Sequence, residues 1–458
     1  MKPYPSFGFV TPRNMALLVD QYELVMADSY LRQQLNQPAT FDLFIRQLPP
    51  HRAFLLSAGL EPALYYLEHL RFDDEAIAYL RSLGTFSDAF LEYLRGFRFT
   101  GDVWAVPEGE VFFPQEPVLE VTAPRIEAQI VETFLLNTLN FEVMVASKAA
   151  RVVLAAAGRA VIDFSPRRDH GADAALKAAR AAYIAGCAGT SNVLAGMEYG
   201  IPVYGTMAHS YIMSFPDELS AFRAFAKDFP NNAFLLIDTY DTVQGARHAI
   251  TVAGELAAGG RQLRGVRIDS GDLAALSMQV RALLDGSGLT DVQILLSGEL
   301  DEDKIERLVS SGASADAFGV GTEMGTSGDA PSLGGVYKLV EDNQGPKVKL
   351  STGKATLPGQ KQVWRIAAAD GLRDVLALVE EPAPPGGEPL LMKVMEHGRT
   401  TTGVRLEDTR ARALSRLRAL PAAWRHLHAA PLPPVTLSDE LQRLQREMYD
   451  AARARLSS

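Results

Sequence analysis

From residue 159 to about residue 335 the chain repeats one pattern. A short apolar, β-like run ends in a polar or glycine-rich corner, and a helical stretch follows. The runs cover residues 160–164, 185–189, 201–205, 234–237, 265–268, 292–296 and 315–320. The helical stretches begin near Ala172, Ser191, Pro216, Thr242, Gly271, Asp301 and Met324. Parallel strands need a crossover of about a dozen residues, usually a helix, so this alternation specifies a parallel sheet. The short repeat favours a barrel. It is tighter than a full eight-fold barrel requires, which predicts an irregular or incomplete one.

The flanks read differently. Residues 14–36, 61–70 and 74–82 have helical spacing. Residues 98–121 are apolar pieces broken by Gly and Pro, a run of short strands with tight turns. A long apolar helix is expected from about Arg125 to Ala157, interrupted near Asn140. Later come strands at 336–340 and 347–350, a loop at 382–387, and a docking helix at 437–456. The expected domains are an N-terminal α/β sandwich with its connecting helix at 1–158, an irregular α/β barrel at 159–340, and a C-terminal segment at 341–458 packing on the sandwich.

With 458 residues, 47% of them hydrophobic, the chain can bury a large core. The formal net charge of −10 argues against general nucleic-acid or anionic-membrane binding, yet it permits a local basic pocket. The single cysteine, Cys187, excludes an intrachain disulfide and a cysteine zinc cluster, and its apolar setting reads as core. Residues 1–14 lack a signal-peptide pattern, and no window suits a membrane span. The cytoplasm is the expected compartment.

In parallel α/β folds, ligands sit at the C-terminal ends of the strands. The corners there are rich in reactive side chains. Phe164, Arg167, Arg168, Asp169 and His170 follow the first run, and Ser191 follows the second. Thr206 and His209 follow the third, Asp238 the fourth, Asp269 the fifth, Gly298 the sixth, and Gly321 and Thr322 the seventh. Arg267 and Asp269 are two apart on a strand and share a face, as a charged pair at a barrel mouth or as a structural ion pair. Gly321 lets backbone N–H groups approach a phosphate, or simply makes a turn. Asp238 and Asp269 suit Mg²⁺, which takes few carboxylates plus phosphate oxygens. A neutral His209 imidazole can attack a phosphoryl group or be structural. His170 either binds phosphate or caps a helix. His51, His69, His248, His397, His426 and His428 lie among residues without site character and read as surface or core.

These corners, taken together, resemble the nicotinate phosphoribosyltransferase family. The resemblance is carried by LLVDQYELVMADSY, IDFSPRRDHGADAALKAARAAYIAG, GTSNVLAG, IPVYGTMAHS, LLIDTYDT, GVRIDSGDL, VGVGTEMG, PSLGGVYKLVE and KATLPGQKQVWR, in family order up to residue 365. It implies a barrel of the type II phosphoribosyltransferase kind. It implies a pentosyltransferase, formally an ATP-coupled ligase, that joins nicotinate to 5-phosphoribosyl 1-pyrophosphate in NAD salvage.

The resemblance assigns roles. His209 is phosphorylated by ATP. Tyr22, from the second subunit of a homodimer, and Phe164 sandwich the pyridine ring. Arg167, Thr206 and Arg267 lie near its carboxylate or the phosphoribosyl group. Gly298, Gly321 and Thr322 hold the 5′-phosphate, and Asp238 and Asp269 orient the ribose hydroxyls and Mg²⁺. Ser191 stands where the nicotinamide-using relative carries Asp, and a serine does not repel a carboxylate. Pro166 departs from the small or aliphatic residue usual there. The competing readings are a nicotinamide-using enzyme and a catalytically silent relative.

Overall fold

The computed structural model describes residues 10–349, 356–368, 371–401, 403–428 and 434–457. It divides into two compact units. One comprises residues 145–331, and the other joins residues 1–144 to residues 332–458. The sequence-based boundaries had been 158/159 and 340/341. Residues 1–9 of the stretch read for a signal peptide, and residue 350 of the strand expected at 347–350, lie outside the described residues.

The unit 145–331 holds a six-stranded parallel sheet. Its spatial order is Gly189–Thr190, Ala160–Asp163, Ala317–Val320, Gln293–Leu296, Gly265–Ile268 and Phe234–Leu236. Six of the seven predicted runs become strands of this sheet. The seventh, at 201–205, contributes only a parallel bridge from Val203 to Thr190. It begins at Ile201–Pro202, directly after the helix C-cap Gly200, and Pro202 has no N–H for a ladder. The second run also shifts. Residue 185 caps the helix Ala172–Ile184, Gly186 turns the chain at φ +116°, and pairing starts only at Gly189. The sheet ends at Phe234–Leu236 on one side and at the Val203 bridge on the other, so the barrel is irregular and incomplete.

Asp and Asn side chains set the helix starts in this unit. Asn192, Asp217, Asp241, Asp272 and Asp301 each accept from a backbone N–H of the first turn. His170 does not cap: the helix Ala172–Ile184 starts from Gly171 without a side-chain cap, and His170 is exposed. Cys187 is fully buried, its Sγ 3.8 Å from Met324 Sδ, as its apolar setting indicated.

The other unit is built on a seven-stranded antiparallel sheet. Its order is Gly345–Pro346, Gly335–Asp342, Pro38–Ile45, Pro117–Pro124, Asp102–Ala105, Met392–Glu396 and Arg399–Thr400. The strand expected at 347–350 is displaced to Gly345–Pro346. The C-terminal segment thus supplies an edge through Met392–Glu396, paired with Asp102–Ala105. It also adds a four-stranded sheet and a buried ion pair, Lys361 Nζ to Asp42 Oδ2 at 2.9 Å. Helices Leu60–His69, Asp74–Ser82 and Asp88–Arg95 turn Leu64, Leu67, Ile77, Leu80, Phe90 and Leu94 into the core of this unit. The long apolar helix is interrupted at Val131, not near Asn140, dividing into Arg125–Ile130 and Glu132–Ala155.

Candidate active site

The corners after the first, fifth, sixth and seventh runs line one cavity of about 1070 Å³, while Ser191, Thr206, His209 and Asp238 are not among its lining residues. Phe164, Arg167, Arg168, Arg267, Asp269, Gly298, Gly321 and Thr322 line it. Arg267 is its hub. Nε donates to Ser297 Oγ at 2.7 Å, Nη1 to Thr206 Oγ1 at 3.3 Å, and Nη2 to Asp269 Oδ1 at 2.5 Å. The guanidinium also lies 5.5 Å from the centre of the Phe164 ring. The ring itself packs on Gly319, where a Cβ would come within 2.5 Å of it. Arg267 and Asp269 therefore form the charged pair at the barrel mouth that their spacing allowed.

Asp269 links two parts of the site. Burial works to raise its pKa, but the Ser297 hydroxyl and the Arg267 charge outweigh burial and hold it below the usual carboxylate range. Its Oδ2 lies 3.9 Å from His209 Nε2. The other imidazole nitrogen, Nδ1, is 3.1 Å from Thr239 Oγ1. With the proton on Nδ1 donated to Thr239, Nε2 presents a lone pair beside Asp269. His209 opens the short helix His209–Met213 and is partly exposed, so a phosphoryl donor can reach it.

Asp238 orders the adjoining corner. Its Oδ2 accepts from the Asp269 N–H at 3.0 Å and from Ser270 Oγ at 2.6 Å. Its Oδ1 is buried and has no hydrogen-bond partner among the described residues. Such an orphan oxygen suits a cation or a ligand hydroxyl.

Two backbone turns face the cavity. Gly298 has φ +96° and the following Glu299 has φ +45°. A turn of this kind can present backbone N–H groups to an anion. A Cβ on Gly298 would stand 1.9 Å from the Asp269 carbonyl oxygen, so only glycine fits. Gly321 precedes the helical turn Thr322–Gly325 opposite.

The corner 164–170 is held from below. Buried Asp163 accepts from the Ser165 N–H at 2.9 Å and Thr190 Oγ1 at 2.7 Å. Ser165 Oγ donates to Asp169 Oδ2 at 3.0 Å. Burial pushes the Asp169 carboxyl up to about 6. Sequence reading missed Asp163 and Ser165 as supports of Phe164 and Arg167. Their signal was a polar residue at the inward end of an apolar strand. Ser191 Oγ is buried and has no hydrogen-bond partner among the described residues.

Tyr22 lies in the other unit, in the first turn of the helix Gln21–Arg32, with 48% of its surface exposed. Burial and the nearby Glu132 and Glu23 carboxylates raise its hydroxyl pKa.

Residues 17–140 match the family model for the nicotinate phosphoribosyltransferase N-terminal domain, and residues 160–341 match that for the nicotinate phosphoribosyltransferase family. The chain is 47% identical to the nicotinate phosphoribosyltransferase pncB2 of Mycobacterium tuberculosis, over 93% of this chain and 92% of that protein. This chain belongs to the nicotinate phosphoribosyltransferase family. The Bacillus subtilis nicotinate phosphoribosyltransferase is 42% identical over 79% of this chain and 75% of its own length. The crystal structure of human nicotinic acid phosphoribosyltransferase superposes with a TM-score of 0.84, at 31% identity, over 94% of this chain and 99% of that one. The irregular parallel barrel joined to an α/β sandwich is therefore the fold of this family.

Proposed function

We propose that the chain makes nicotinate mononucleotide and pyrophosphate from nicotinate and 5-phosphoribosyl 1-pyrophosphate, as a step of NAD salvage. We further propose that ATP hydrolysis is coupled to the reaction through a phosphohistidine at His209. Family membership supports the transfer itself. The observation that carries the coupling is the placement of His209 Nε2 beside Asp269, with Nδ1 on Thr239.

In the first half-reaction, Nε2 attacks the γ-phosphorus of ATP. An N–P bond forms, the P–O bond to ADP breaks, and ADP leaves with the electron pair. Thr239 holds the Nδ1 proton, and Asp269 faces the positive charge that grows on the ring. In the transfer, the bond from C1 to pyrophosphate breaks and pyrophosphate takes the electrons. The pyridine nitrogen of nicotinate then bonds to C1. The sugar develops oxocarbenium character, which the carboxylate of Asp269 stabilises. Water later hydrolyses the phosphohistidine to phosphate.

Phe164 gives the pyridine ring one flat face, and Tyr22 of a second subunit gives the other. Arg167, Arg267 and Thr206 take the ring carboxylate and the neighbouring phosphoribosyl oxygens, since an arginine fork matches either. Gly298, Gly321 and Thr322 seat the 5′-phosphate on backbone N–H groups. Ser191 leaves a carboxylate unopposed, which favours nicotinate over nicotinamide. The orphan Oδ1 of Asp238, with Asp269 next to it, fits Mg²⁺. Bound there, the ion would neutralise charge on the pyrophosphate.

The homodimer draws support from exposed apolar side chains on the barrel unit. Val193 and Met197 are each 72% exposed, Met213 66% and Tyr240 67%. Scattered apolar residues are ordinary, but Val193 and Met197 share one face of the helix Val193–Tyr199 close to Ser191. The proposed compartment is the cytoplasm. Among the described residues, no helix is long and apolar enough to cross a membrane.

The coupling is tested by incubating the protein with γ-labelled ATP. Acid-labile, base-stable label is expected on wild type and absent from His209→Ala. Label retained by the variant places the phosphate on another residue.

A further inference from the structure

The cavity extends past the residues assigned to the two substrates. Lys304, Arg307, Leu308 and Ser311 also line it. They fall at i, i+3, i+4 and i+7 along and just past the helix Glu302–Ser310. Such spacing is one helical stripe, and seven residues at 1.5 Å rise span about 10 Å. Leu273 and Ala274, in the first turn of the helix Leu273–Gly286, and the buried Leu300 line the same cavity. The result is an annex with apolar side chains and two cations, with Glu299 also in the cavity lining. Lys304 Nζ donates to the Glu299 carbonyl at 2.6 Å, and the Arg307 guanidinium has no acceptor among the described residues. In a chain of net charge −10, an unpaired arginine over an apolar trough suits an anion with a flat apolar group attached.

We propose that this annex binds the adenosine-phosphate half of a nucleotide. The inference rests on the function proposed above for one point, the seat of the 5′-phosphate at Gly298 and Gly321. A ligand reaching the annex from that seat continues through a further phosphate, which meets Lys304 and Arg307. Its base then lies against Leu273, Ala274, Leu300 and Leu308. At about 1070 Å³ the cavity is at the upper end of what one drug-sized ligand fills, so it has room for this extension. Two nucleotides carry the same adenosine-phosphate half: the ATP co-substrate, and a pyridine dinucleotide built on the product.

The experiment titrates AMP calorimetrically into wild type, Arg307→Glu and Ala274→Trp. Arg307 is exposed and Ala274 partly so, and both variants are expected to fold. AMP should bind wild type and bind each variant at least about tenfold more weakly, a loss of roughly 1.4 kcal/mol. KM for nicotinate and for 5-phosphoribosyl 1-pyrophosphate should stay within about twofold, because neither residue touches those substrates. Kinetics then separate the sources. A raised KM for ATP in both variants assigns the annex to the co-substrate. Lost inhibition by NAD, at unchanged KM for ATP, assigns it to the dinucleotide. Absence of AMP binding to wild type, or equal binding by all three proteins, overturns the proposal. AMP binding that depends on Arg307, in a protein that makes no nicotinate mononucleotide, would keep the annex and sink the function.

Discussion

Arg267 shows what one residue position can reveal and what it cannot. Its spacing from Asp269 announced a shared face, but its bonds to Ser297 and Thr206 and its place on Phe164 come from three other corners. Lysine has the charge without the planar fork. Arg267→Lys should therefore lower kcat/KM by about a hundredfold or more, a loss of roughly 3 kcal/mol of transition-state stabilisation. A change below threefold would show that the fork is dispensable. Asp169 makes a different prediction. Burial is the main cause that lifts its pKa from the ordinary 3.8 to about 6, against the Ser165 hydrogen bond. The fold thus prefers the neutral acid. That preference is fully felt below about pH 3.8 and is lost as pH rises through about 6. Asp169→Asn cannot ionise, so its thermal midpoint should gain on wild type between pH 4 and pH 7. A pH-independent difference would remove the ionisation from the account.

At the scale of elements, the parallel unit was legible because most of its strands end in a chemically loud corner and five of its helices start on an Asp or Asn cap. What failed did so for local reasons. The run at 201–205 carries a proline, and the interruption of the long helix falls at Val131, which no Gly or Pro marks. The strand Pro38–Ile45 was missed although Ala39, Phe41 and Leu43 alternate with Thr40 and Asp42; both faces are buried, the polar positions included, so the pattern does not report a solvent face. Lys304 and Arg307 went unselected because they lie inside a helix, away from any strand corner. The turn at 298–299 carries the element-scale prediction. Gly298→Ala forces an L side chain into φ +96° and against the Asp269 carbonyl. KM for 5-phosphoribosyl 1-pyrophosphate should rise at least about tenfold, because the turn must shift to relieve strain of order 1–3 kcal/mol. An unchanged KM would remove this turn from the phosphate seat.

For the whole molecule, the sequence showed a barrel and a flanking region but not how the flanks combine. Strand pairing between Asp102–Ala105 and Met392–Glu396 joins segments far apart in the chain, and no local pattern encodes such a partner. Sharing of sites between subunits is a whole-molecule property too. If Tyr22 serves the partner's barrel, then Tyr22→Ala and His209→Ala, each inactive alone, should regain activity when unfolded and refolded together. Random pairing leaves some mixed dimers with one intact site. No recovery in mixed dimers would mean that each site is built within one chain. The central claim is the transfer of a phosphoribosyl group to nicotinate. Its most direct measurement is the steady-state rate of mononucleotide formation from nicotinate, nicotinamide and quinolinate in turn, with 5-phosphoribosyl 1-pyrophosphate, Mg²⁺ and ATP. The account predicts that nicotinate is preferred over both by about a hundredfold or more in kcat/KM, since a site built for one polar group rejects its analogues. Preference for nicotinamide, or no turnover of any of the three bases, would contradict it.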